Sequence, residues 1–187
     1  MWPDKVLRQF ATVPPNPSKS DYNGPYNKLL NTLFPIDSDF VVVPQYLPDA
    51  RNAVDFIVTF EVLLINKPVL ILELRPPSHL DFLSKRQVAD EQIRSRMGDL
   101  VEGYPLETLH AVSAMGKKLC FYSLDTTHDD ADIVPAAIPR HLTRVNDSAP
   151  KDRWALDVLD PAGEGRLREI TQEITDGCAT ISIISSG

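Results

Sequence analysis

Residues 53–77, Ala-Val-Asp-Phe-Ile-Val-Thr-Phe-Glu-Val-Leu-Leu-Ile-Asn-Lys-Pro-Val-Leu-Ile-Leu-Glu-Leu-Arg-Pro-Pro, constrain the fold of this chain more than any other stretch. Val54, Phe56, Val58, Phe60 and Val62 alternate with Asp55, Ile57, Thr59 and Glu61. Successive side chains of a strand point to opposite faces, so this period of two predicts a strand. Asn66-Lys67-Pro68 turns the chain, and Val69 to Arg75 form the returning strand. Pro76 and Pro77 end it, since neither has an N–H to give to a ladder. One face of the hairpin is wholly apolar: Val54, Phe56, Val58, Phe60, Val62, Leu70, Leu72 and Leu74. The other carries Asp55, Glu61, Glu73 and Arg75 among Ile57, Val69 and Ile71. Folding about the turn is expected to bring Asp55 near Glu73 and Arg75, on one face and at one end.

Charged side chains are seldom buried unless they are paired or bound to a metal. Two readings follow. Asp55 and Glu73 can hold a divalent ion such as Mg²⁺ or Mn²⁺, which takes one or two carboxylates and keeps waters for a substrate to displace. Such an ion activates water and stabilises charge on phosphorus. Alternatively, Arg75 forms a structural ion pair with Asp55 or Glu73.

An acid on one strand, a short turn, Glu-x-Arg on the next strand and then a long helix resemble the PD-(D/E)XK nuclease superfamily over about residues 22–125. The resemblance implies a core of helix, three-stranded meander, helix and strand. It makes Asp55 the motif aspartate, Glu73 the motif glutamate and Arg75 the residue at the lysine position, with the carbonyl of Leu74 as a third metal ligand. Gln92, ahead of Gln87, falls where some members place a glutamine that supports the site. Two departures stand out: Val54 replaces the motif proline, and Arg75 replaces a lysine that could lose its proton. Arg75 can still orient water or phosphate. The expected first helix, 25–34, lacks the glutamate that many members carry there.

Basic residues of the helix expected over 79–102, Lys85, Arg86, Arg94 and Arg96, are candidates for a groove that tracks a nucleic-acid backbone, or for a solvated face. The same helix has Ser78 and Asp81 as a capping pair and Ala89, Ile93, Met97, Leu100 and Val101 as its inward stripe. Further strands are expected over 40–46, with Pro44 marking an edge or bulge, over 109–115 and over 118–124. A right-handed crossover makes strand 109–115 parallel to strand 69–75. Residues 154–159 and 179–184 read as short strands, with a helix between them carrying Leu167, Ile170 and Ile174 on one side.

The 187 residues suit one domain, 21–187, preceded by an extended proline-bearing arm, 1–20. A net charge of −7 argues against strong non-specific binding to nucleic acid, whose affinity comes mostly from phosphate contacts. Cys120 and Cys178 lie in no CxxC pair, which fits packed free thiols and an intracellular protein. No apolar run approaches the ~20 residues of a membrane span. The loop Asp125-Thr-Thr-His-Asp-Asp-Ala-Asp lacks the glycine and glutamate of a calcium loop, and His79, His110, His128 and His141 never fall at zinc spacing.

The sequence therefore predicts an α/β protein with a mixed central sheet flanked by helices and a restriction-endonuclease-like core. Its function is read as metal-dependent hydrolysis of phosphodiester bonds in DNA or RNA. The competing reading is an inactive nuclease-like fold serving as a protein-interaction module. A third is a structural domain with an ordinary ion pair.

Overall fold

The alternating hairpin becomes part of a six-stranded mixed sheet. The computed structural model describes residues 1–49, 52–64 and 66–185, with side chains over 1–45, 59–64 and 66–181. Strands β1 (Phe40–Asp49), β2 (Asn52–Leu64), β3 (Lys67–Arg75), β4 (Thr108–Met115), β5 (Lys118–Asp125) and β6 (Leu156–Asp157) lie across the sheet in chain order. Each neighbouring pair is antiparallel except β3 and β4. A parallel pair needs a long crossover, and helix α3 (Leu83–Leu100) supplies it. The ten-residue β1 forms one rim of the sheet, with Pro44 and Pro48 within it.

Alternation sorts the strand residues between two layers. Phe60, Val62, Leu70, Leu72, Leu74, Val112 and Ala114 face helices α1 (Asp4–Ala11), α2 (Asn23–Leu33) and α4 (Pro161–Ser185). There they bury Val6 and Phe10 of α1, Tyr26, Leu29 and Leu30 of α2, and Leu167, Ile170 and Ile174 of α4. The opposite face puts Ile71, Ala111, Met115, Cys120 and Tyr122 beneath Ala89, Ile93 and Met97 of α3, with Trp154 beside them. The turn between β4 and β5 is held from the first layer. Gly116 has φ 62°, and a Cβ there would come within 2.7 Å of the Pro77 Cβ, so glycine is required. The Tyr26 hydroxyl donates to the Gly116 carbonyl at 2.8 Å.

Four expectations change. Residues 1–20 are not an extended arm throughout, because Val6 and Phe10, one turn apart, fold Asp4–Ala11 into a helix that joins the core. Trp2 anchors it, donating from Nε1 to the Val158 carbonyl at 2.6 Å with the Arg168 guanidinium 4.7 Å above its ring. The long helix does not start at 79. Pro77–Asp81 make a 3-10 turn, Phe82 is extended, and Ser78 makes no cap. Arg86 holds that turn in place by donating to the Leu80 carbonyl. Of the expected inward stripe, Ala89, Ile93 and Met97 are buried while Val101 is exposed. Finally, 179–184 is not a strand but the end of α4, since Ile170, Ile174, Cys178 and Ile181 continue one stripe against the core. Extending a formed helix gains a hydrogen bond per residue, which outweighs the weak helix propensity of isoleucine and threonine.

Candidate functional site

The face of the sheet beneath α3 carries the buried charges. The register sets Thr59, Glu73, Ser113 and Cys120 side by side across β2, β3, β4 and β5. All four are buried. Arg75, two residues beyond Glu73 on the same strand and therefore on the same face, donates from Nε to Glu73 Oε1 at 2.5 Å. Both side chains are only 6% exposed. Glu61 lies on the same face of β2 and accepts from Arg96 Nη2 of α3 at 2.5 Å. Gln92, one turn before Arg96, has its Oε1 buried without a hydrogen-bond partner among the described residues. Arg75 Nη2 and Arg96 Nε are likewise buried and unpartnered there.

Asp55 stands in β2, but its side chain lies outside the described residues. The last rung between β2 and β3 is Val58–Leu74, and the residue opposite Glu73 is Thr59. Asp55 is four residues before Thr59, roughly 13 Å along an extended strand. Leu74 has strands on both sides at its rung, Val58 and Ala114, so its backbone belongs to the ladder, and its side chain joins the apolar layer.

The basic residues of α3 do not form an outward groove. Arg86 is buried and spends its guanidinium on the Ala149 carbonyl, the Leu80 carbonyl and Asp147, each at 2.9 Å. Arg94 holds Asp90 through two bonds, at 2.8 and 3.2 Å, and also donates to the carbonyls of Ile133 and Pro135. Arg96 is taken by Glu61. Of the four candidates only Lys85 is exposed. Gln87 bonds to the Asn146 carbonyl and Ser148 Oγ, so it fastens the same distant segment.

Sequence reasoning missed the centre of this network, Asp90. Its carboxylate accepts from Arg94, from Tyr122 Oη at 2.9 Å and from Arg153 Nη1 at 2.8 Å. Desolvation beneath α3 pushes the Tyr122 hydroxyl well above its ordinary range and the Cys120 thiol up to about 11. Cys120 is thus a protonated packing group rather than a nucleophile. The one available signal for Asp90 was Asp-x-x-x-Arg at helical spacing, which is common on solvated helices and says nothing of burial.

No family model, no curated protein and no solved structure matches this chain. The donor set must therefore be judged on its own geometry. Among the described residues no three His, Cys, Asp or Glu side chains gather to hold a metal. Glu73 and Glu61 each face a guanidinium, so an entering cation would first have to displace Arg75 or Arg96. Asp55, the carboxylate expected to join Glu73 at a metal, has its side chain outside the described residues.

Proposed function

We propose that this chain is a restriction-endonuclease-like framework whose catalytic centre is closed by an ion pair and which acts as a protein-interaction module. The Glu73–Arg75 pair carries the reading: at 2.5 Å and 6% exposure, the motif glutamate is neutralised from within its own strand. The order α2, β1–β2–β3, α3, β4, with β4 parallel to β3, supports the nuclease-like core that the sequence resembles. A surface for a partner is supported by Val134, Ile138, Leu142 and Val145, four exposed apolar side chains within one connecting segment.

A second reading, phosphodiester hydrolysis with Mg²⁺ or Mn²⁺, is favoured by Arg75 Nη2 and Gln92 Oε1, two buried polar atoms with no hydrogen-bond partner among the described residues. Incubation with DNA and RNA in millimolar Mg²⁺ or Mn²⁺ separates the two. The expected result is no cleavage by the wild-type chain or by Arg75→Lys, and no rise of melting temperature with either metal. Metal-dependent cleavage that disappears in Glu73→Ala would overturn the interaction-module reading.

A further inference from the structure

On the opposite side of the sheet from Glu73, β4 and α4 enclose a cleft of about 510 Å³. Small-molecule sites occupy roughly 300–1,000 Å³, so the space suits an organic ligand rather than a bare ion. His110 of β4 forms part of its wall and is 2% exposed. Glu173 Oε2 of α4 lies 2.8 Å from His110 Nε2, but out of line for a hydrogen bond, and neither ring nitrogen has an aligned partner among the described residues. A buried imidazole left in this state costs free energy that a suitable ligand would recover.

The charge around it selects the ligand. Glu107, Glu173 and Asp176 line the cleft. Against them stands Arg166, 3.9 Å from Glu173 and also engaged with Glu169, while the Asp176 carboxylate accepts from the neutral Gln172. An anion is repelled here. A metal ion lacks a third ligand, because no three-residue donor group exists among the described residues. Desolvation holds the His110 pKa below its usual value against the opposing pull of Glu173, so near neutral pH the ring offers a lone pair. The remaining wall sets the apolar Leu106, Ile174 and Ile181 beside Thr108 and Thr180. We infer that this cleft binds a small organic amine, its ammonium donating to His110 Nε2 and Glu173 and its apolar body lying against Leu106 and Ile181.

The test is a titration of the full chain with phenethylamine near pH 7.5, read by the side-chain nitrogen resonances of His110. Phenethyl alcohol and Zn²⁺ serve as comparators. Phenethylamine should shift the imidazole saturably, and the alcohol should bind about tenfold more weakly or worse, since a charge-assisted bond is lost. Glu173→Gln should weaken the amine by a similar factor while the chain stays folded, because that side chain is half exposed. Asp176→Asn should weaken it less. The inference is overturned by an absent or unsaturable shift, by an equal response to the alcohol, or by undiminished binding in Glu173→Gln. It is equally overturned if Zn²⁺ moves the ring at micromolar concentration and the amine does not.

Discussion

The two faces of one sheet solve the same burial problem in opposite ways. Toward α1, α2 and α4, β2 and β3 present Phe60, Val62, Leu70, Leu72 and Leu74, and stability there comes from area removed from water. Toward α3 the same strands present Thr59, Glu61, Glu73 and Arg75, every one of them buried. That layer must repay the desolvation of its charges by geometry, through Arg75 on Glu73 and Arg96 on Glu61. An apolar face degrades gradually as atoms are removed. A charged face fails when a single partner goes.

Four measurements break or sharpen this contrast. Glu73→Gln should have the largest effect, about 3–5 kcal/mol, because it strands the Arg75 charge in the interior. In a chain of this size that lowers the melting temperature by roughly 10 °C. A change within a degree would show that the pair contributes nothing. Leu72→Ala, on the apolar face, should cost about 3 kcal/mol by chemical denaturation, from lost transfer energy and the cavity left behind. Glu73→Leu combined with Arg75→Met should return the loss to about 1 kcal/mol or less, since replacing a buried pair by apolar groups is often neutral. If the double variant is as unstable as Glu73→Gln, the layer needs its charges for more than mutual compensation.

The smallest effect concerns pH. Burial lowers the folded pKa of His110 below its ordinary value near 6.5, with Glu173 opposing the shift and Arg166 adding to it. The neutral ring is therefore the form that folding favours. Its contribution is present above about pH 6.5 and is lost as pH falls through the folded value. Melting temperatures between pH 7.5 and 5.5 should fall more steeply in Glu173→Gln, which removes the group that resists the shift. An identical slope in wild type and variant would mean that Glu173 does not act on the ring.

Much of the architecture could be read from local pattern. The alternation in 53–75 assigned the faces, and Phe60, Val62, Leu70, Leu72 and Leu74 all lie where that period put them. Strand 109–115 runs parallel to β3, as a crossover helix requires. The interior arginines could not be read this way. Arg86 is buried because Asp147 and Ala149, more than sixty residues later, return to meet it, and no window of α3 holds that information. Arg96 likewise depends on Glu61, thirty-five residues before it. The first helix was masked by the prolines that follow it, Pro14, Pro15 and Pro17, and the tail of α4 by its β-branched residues. The Glu73–Arg75 pair was one of two readings of the same residues, and spacing alone had no means of choosing.

The ten residues of β1 have a neighbour on one side only, which makes that rim the place where a foreign strand could be templated. Residues 40, 42, 44, 46 and 48 share one parity, and their amides address the same side of the strand. Proline occupies two of those five positions, Pro44 and Pro48; the ladder to β2 runs on through Pro44 and shifts register directly after Pro48. Prolines within a sheet are tolerated where their missing N–H faces outward. An intruding chain therefore meets a row with two of its five donors deleted at alternate steps, too broken to guide growth. The same substitutions that would look harmless to folding, Pro44 or Pro48 to a β-branched residue, would restore an unbroken template for fibrils.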